Sequence, residues 1–146
     1  MALILRDVNV WVYAFRQDSP YHTIARNDIE RDIENGVPFI FSRTVASSFL
    51  RIVTNQKIFV KPSSLGEAWG FVDVLAEQPE AIMGDIDEMT FGLFKHMSFV
   101  HDICGNQIPD AMLAALAMRY DAELRTFDRG FAKYKGLNFA FLGTTA

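Results

Sequence analysis

Short apolar runs alternate along this chain with longer stretches in which apolar residues recur every three or four positions. "ALILR" (2–6) is of the first kind and predicts a buried strand. Between Ser19-Pro20 and Gly36, the residues Ile24, Ala25, Ile29 and Ile33 fall at helical intervals, and the glycine is a suitable C-terminal signal. "VPFIFS" (37–42) reads as a second strand. Residues 44–55 place Val45, Phe49, Ile52 and Val53 along one face and predict a second helix. A third helix follows the Ser-x-x-Gly-Glu opening at 63–67 and closes before Pro79. Residues 80–84 form a short strand, and 85–102 a fourth helix with acids in its first turn. The strongest helical signal is "GNQIPDAMLAALAMRYDA" (105–122), rich in alanine, leucine and methionine. Strands at 123–128 and 137–143 then flank a turn or short helix. Strands alternating with helices imply parallel pairing through βαβ crossovers. The expected fold is α/β: a single domain over 1–146, built as a three-layer α/β/α sandwich around a central, mainly parallel sheet.

Three acids occupy related places in that scheme. Asp7 lies just past the first strand, Asp128 ends "ELRTFD", and Asp110 sits in the first turn of the alanine-rich helix. Open parallel sheets bind ligands beyond the carboxyl ends of their strands, where strand order reverses. If the strands at 2–6 and 123–128 are neighbours, the helix feeding the second has its amino end at that same edge, so Asp110 joins the other two. Taken singly, an Asp after a strand is a turn former or cap, and Asp110 an ordinary first-turn acid. Taken together they suggest a site. Converging carboxylates repel, and a hard divalent cation such as Mg²⁺ or Mn²⁺ compensates. That arrangement suits phosphodiester hydrolysis by a metal-activated water. Asn9 and Asn106 are placed to cap or to brace the site.

Composition narrows the picture only slightly. Half the chain is hydrophobic and 22% is charged, as expected of a folded domain of 146 residues. The lone Cys104 can form neither an intrachain disulfide nor a thiolate metal cluster, and a reduced, cytoplasmic setting is expected. No signal peptide and no apolar run of membrane-spanning length are evident. A net charge of −4 argues against a protein that coats nucleic acid, but not against an enzyme that handles it through metal ions. Arg51, Lys57 and Lys61, or Arg125, Arg129, Lys133 and Lys135, are candidate phosphate contacts, with solvated surface as the plainer reading. His22, His96 and His101 lack metal-ligand spacing.

"LRDVNVWVYAF", "GNQIPDAMLAALAMRYDAEL" and "RTFDRGFAKYKGLNF", in that order and spacing, resemble the PIN-domain ribonucleases, specifically the VapC-type toxins of bacterial toxin–antitoxin pairs. The resemblance implies a PIN fold and an RNA endonuclease that depends on Mg²⁺, with Mn²⁺ as a substitute. It also implies a homodimer, neutralised by a small VapB-like antitoxin whose arginine approaches the acids. Asp7 and Asp110 match the principal metal ligands and Asp128 the third acid, while Asn9, Asn106 and Thr126 match supporting positions. The chain departs from the fuller family pattern twice, with Ser48 where a helix glutamate is common and Gly130 where another acid is common. A thinner acidic set favours one metal ion; Asp102 is the nearby acid to check as a substitute, with a solvated helix-end acid as the plainer reading. A second reading is a PIN-fold module that binds RNA or an antitoxin and barely cleaves. A phosphate-accepting Asp7 ranks last, because the chain offers no clear lysine or neighbouring acid for it.

Overall fold

The computed structural model describes residues 2–143. The first apolar run forms β1 (Leu3–Arg6), and the elements after it are α1 (Val8–Phe15), α2 (His22–Glu34), β2 (Phe39–Phe41) and α3 (Arg43–Val53). Next come α4 (Leu65–Ala76), β3 (Ala81–Met83), α5 (Glu88–Val100), α6 (Gln107–Arg119) and β4 (Ala122–Thr126). A short 3-10 turn (Arg129–Lys133) leads to β5 (Phe139–Phe141). All strand pairings are parallel, in the order β3-β2-β1-β4-β5. The chain thus winds outward from β1 in both directions, and strand order reverses between β1 and β4.

Side chains alternate across the sheet and feed two cores. Phe41 joins Trp11, Phe49, Val53 and Val72 under α1 to α4, while Leu5, Ile40 and Leu124 pack under α5 and α6. This is the expected α/β/α sandwich. Along α6, Ala111, Ala114, Ala115 and Ala117 are fully buried, so the helix backbone sits close against its neighbours. Gly36 ends α2 in the left-handed conformation (φ 66°), as its position in the sequence suggested.

Helix α1 is the element that periodicity does not reveal. Val8, Val10, Trp11, Val12 and Tyr13 are β-branched or aromatic and favour strands. They are helical because Asp7 caps the first turn, and because Trp11 packs against the rings of Phe41, Phe49 and Phe71. The apolar "WVYAF" segment is therefore largely core, with Trp11 only 3% exposed.

One ionic cluster ties the central strands to α2. Arg6 and Arg125 are register partners on β1 and β4, and both reach Asp28 and Asp32, one turn apart on α2. Arg6 Nε donates to Asp28 at 2.8 Å and Nη2 to the Asp28 carbonyl at 3.0 Å, with a further bond to Asp32. Arg125 Nη1 donates to Asp28 at 3.0 Å and Asp32 at 2.7 Å, and its Nε to Glu123 at 2.7 Å. Burial alone would lower the Arg125 pKa, but Glu123, Asp28 and Asp32 outweigh it and hold the guanidinium above its usual value. Arg125 is thus committed inside the protein and is not a free phosphate contact.

Removing one partner of a buried pair leaves the other charge uncompensated. Asp28→Ala is expected to lower stability in urea unfolding by about 3–5 kcal/mol. Glu30→Ala, which breaks only the exposed Arg26–Glu30 pair, is expected to cost about 0.5 kcal/mol or less.

Candidate active site

Asp7 is the first residue beyond β1 and the N-cap of α1. Its backbone N–H donates to the Arg125 carbonyl at 3.0 Å, so the β1–β4 ladder runs directly into the site. Its side chain is fixed at both oxygens: Oδ1 accepts from the Val8 N–H at 2.7 Å and Oδ2 from the Thr126 hydroxyl at 2.8 Å. Thr126 ends β4, is fully buried, and also accepts from the Asp128 N–H at 3.0 Å and from Asn9 Nδ2 at 3.4 Å. Asn9 Oδ1 in turn accepts from the Phe127 N–H at 3.4 Å. Thr126 and Asn9 therefore brace the end of the sheet. Asn106 behaves differently: it is exposed at the start of α6, and its side chain makes no capping bond.

Asp110, in the first turn of α6, is partly buried and lines a cavity of about 370 Å³ together with Asp7. Placing α6 between α5 and β4 brings its amino end to the carboxyl edge of the sheet, as the strand order requires. Asp128 is exposed and does not line the cavity; its Oδ1 accepts from the Gly130 N–H at 2.8 Å. A Cβ at Gly130 would stand 3.1 Å from that same oxygen, so any side chain there would press on the Asp128 carboxylate. Ser48, at the other departure from the family pattern, faces the cavity from α3.

The acids act on one another through space. Burial raises the Asp7 pKa, the bonds from Thr126 and Val8 oppose this, and the Asp128 charge adds to the rise. Asp110 is pushed up to about 6, first by burial and then by the charges of Asp7 and Asp128, with Lys133 opposing. Lys133 is thus the basic residue from the sequence that bears on the site. Arg51, Lys57, Lys61 and Lys135 are exposed and do not line the cavity, and Arg129 lies over the Phe141 ring at 3.9 Å.

Periodicity gave no hint of Tyr134. It is 3% exposed, and its hydroxyl has no hydrogen-bond partner among the described residues. Burial and the Asp110 charge raise its pKa. Asp102 does not substitute for a missing acid; it is exposed in the left-handed turn that ends α5 (φ 48°). His22 bonds the Tyr13 carbonyl at 2.9 Å, His101 packs edge-on against Tyr134, and His96 is exposed.

Among the described residues, no three His, Cys, Asp or Glu side chains converge closely enough to form a ready-made metal cluster. Two carboxylates share the cavity, and the charge of a third, Asp128, acts on both. A hard cation with an incomplete protein shell fits that donor set, because Mg²⁺ keeps several waters and binds through one or two carboxylates. Burial first, and then the charges of Asp7 and Asp128, make ionised Asp110 costly, and a bound cation would offset the charge part of that cost.

A family model described as "PIN domain" matches residues 4–137. VapC ribonuclease Mb2897 of Mycobacterium bovis is 37% identical over 133 residues, which cover 91% of this chain and 90% of that protein. Ribonuclease VapC31 of Mycobacterium tuberculosis is 34% identical over 132 residues, covering 90% and 93%. Among solved structures, VapBC2 from Rickettsia felis bound to a promoter DNA fragment aligns with a TM-score of 0.72 at 17% identity, covering 95% of this chain and 98% of the other. Mycobacterium tuberculosis VapC20, a Sarcin-Ricin loop cleaving toxin, aligns with a TM-score of 0.64 at 13% identity, covering 88% and 92%.

Two stability measurements check the geometry in metal-free protein. An acid with a raised folded pKa costs nothing below its ordinary value of 3.8, and its full cost is felt above about 6. Asp110→Asn is therefore expected to stabilise the protein at pH 7.5 by about 1 kcal/mol, after allowance for solvent screening, and by nothing at pH 3. Thr126→Val leaves Asp7, Asn9 and the Asp128 N–H without their shared partner and is expected to cost about 1–3 kcal/mol in urea unfolding, with Thr126→Ser recovering most of it.

Proposed function

Because the chain belongs to the PIN domain family, we propose that it is a VapC-type endoribonuclease, the toxin of a bacterial toxin–antitoxin pair, which hydrolyses RNA phosphodiesters with Mg²⁺ held by Asp7 and Asp110. The observation that carries the metal-dependent chemistry is that Asp7 and Asp110, from separate elements, line one cavity, where the Asp7 charge adds to burial in raising the Asp110 pKa. The full-length likeness to VapC ribonucleases supports RNA as the substrate. Mn²⁺ has the same preference for oxygen ligands and would serve as a substitute.

When bound, the cation lowers the pKa of a water and offsets charge on the phosphate oxygens. The chain's own residues do the rest. Val8 and Thr126 fix the orientation of the Asp7 carboxylate before any ligand arrives. Asp110 turns toward the same cavity from the start of α6. Asp128, exposed and close enough for its charge to act on Asp7 and Asp110, would take a proton from the attacking water. Lys133, whose charge already acts on Asp110, would attract the phosphate backbone. Ser48 and Gly130 supply no carboxylate, so Asp7 and Asp110 would hold the cation with fewer protein ligands than the fuller family pattern offers.

The partners of this reading are RNA and a VapB-like antitoxin, as in the VapBC complexes that share the fold. A homodimer accords with the large apolar side chains left exposed on α4 and α5, among them Trp69, Phe91 and Phe99. No helix among the described residues is long and apolar enough to cross a membrane. A cytoplasmic setting fits the lone, free Cys104.

A second reading, an RNA- or antitoxin-binding module with little catalysis, is favoured by one observation: no three ligands converge on a metal position among the described residues. Cleavage of a mixed RNA pool by antitoxin-free protein separates the two. Cutting is expected with Mg²⁺ or Mn²⁺, none with chelator, and a loss of about 100-fold or more in Asp7→Asn and Asp110→Asn. A folded protein that cuts with neither ion would establish the binding module instead.

A further inference from the structure

We propose that the cavity beside Asp7 and Asp110 is a nucleobase pocket, which receives one unstacked base of single-stranded RNA next to the phosphate to be cut. The proposal rests on the nuclease reading and adds to it the form of RNA and the residues that choose the base.

Three observations lead there. The cavity holds about 370 Å³, near the lower end of small-ligand pockets, with ample room for a base. Its walls are mostly apolar: Val8 and Val45 on one side, Ile108, Met112 and Leu113 on the other. Among the described residues, its polar side chains are the carboxylates of Asp7 and Asp110 and the hydroxyls of Ser42 and Thr44 at the start of α3 and of Ser48 in its middle.

Each kind has a chemical reading. A bare phosphate cannot enter, because the two carboxylates repel it unless a cation intervenes. A base is uncharged, and its flat faces gain by burial between Val45 and the α6 side chains. Its edges carry both donors and acceptors, and a serine or threonine hydroxyl serves either role. Ser42 still has a proton to give, since its oxygen accepts from the Val45 N–H at 3.3 Å. Thr44 is exposed and Ser48 partly buried, so both hydroxyls lie where an incoming group reaches them. An apolar side chain from a protein partner would match the walls but leave those hydroxyls without partners.

Ser48 now gains a role. An acid there would bring a third negative charge into the cavity; serine keeps that wall neutral and able to bond a base edge. The residue that thins the metal shell is the one that makes the pocket fit for a base. Since a paired base cannot reach it, the substrate is a loop, an unpaired strand or a nucleotide turned out of its stack.

The test maps cleavage of a randomised single-stranded RNA pool by wild type, Ser48→Ala, Ser48→Phe and Thr44→Phe, each first checked for folding by circular dichroism. Wild type is expected to prefer a base at one position beside the cut, and an abasic ribose there to slow cutting by about tenfold. Ser48→Phe fills the pocket and should cut intact RNA about as slowly as wild type cuts the abasic RNA, without preference and without regard to the abasic site; Thr44→Phe fills it from the rim should Ser48→Phe misfold. Ser48→Ala should weaken the preference, with intact and abasic RNA cut at more nearly equal rates. An unchanged base preference in the folded phenylalanine variants would overturn the pocket and leave the nuclease standing, as would equal cutting of abasic and intact RNA by wild type. That pattern is the one expected if the cavity houses a protein side chain. If wild type cuts nothing, the nuclease reading fails, and the pocket is judged by 2-aminopurine oligonucleotides in Ca²⁺. A rise in emission abolished by Ser48→Phe would retain the pocket, and no change would overturn it.

Discussion

Two arginines side by side in the middle of a sheet should repel, and the fold is arranged around their compensation. Arg6 and Arg125 are forced together by the parallel register of β1 and β4, and the paired carboxylates of α2, with Glu123 beside Arg125, make that register tolerable. Such clusters contribute little net stability when complete, but they discriminate strongly among alternative pairings. A slip of one residue would send one guanidinium to the opposite face, into the apolar layer under α6. The register so chosen sets what lies just beyond it. Asp7 follows Arg6 and Thr126 follows Arg125, and the bond between carboxylate and hydroxyl depends on the same rungs.

The two groups of acids are therefore opposites. Asp28 and Asp32 are deeply buried and matched by cations from two strands. Asp7 and Asp110 line one cavity, Asp7 eased by the bonds from Thr126 and Val8 and Asp110 by the charge of Lys133. The sheet places a compensated cluster on one side of the strand ends and an uncompensated one just past them. Rigidity built by the first holds the second in an arrangement that it would not adopt unaided.

How much of this the sequence made legible follows from the range of the interactions involved. The alternation of strands and helices is local, and ten elements appear where apolar spacing placed them. Helix α1 is missing from that reading because its residues are apolar on every side, so no polar face marks a period. Asp7 and Asp110 were legible because each sits at a strand or helix end, a place that the crossover rule alone brings to one edge. Asn106 had the right position, but its side chain lies exposed and makes no capping bond. The ionic cluster was not legible at all. Asp28 and Asp32 have the spacing of a solvated helix face, and Arg125 looked like a phosphate contact, because the pairing of β1 with β4 joins residues about a chain length apart. The cavity needs α1, α3 and α6 at once, which no single stretch encodes.

Thr126 carries a last consequence, one of proton parity. A hydroxyl has one proton and two lone pairs. Both lone pairs here meet donors, the Asp128 N–H and Asn9 Nδ2, so the proton can go only to Asp7. Asp7 is thereby required to be an acceptor. A protonated Oδ2 would meet a hydroxyl with no lone pair left to receive it. The neighbourhood that raises the cost of charge on Asp7 by burying it also withholds the arrangement in which that charge could be shed toward Thr126. The carboxylate is kept open toward the cavity by the bookkeeping of a single hydrogen atom.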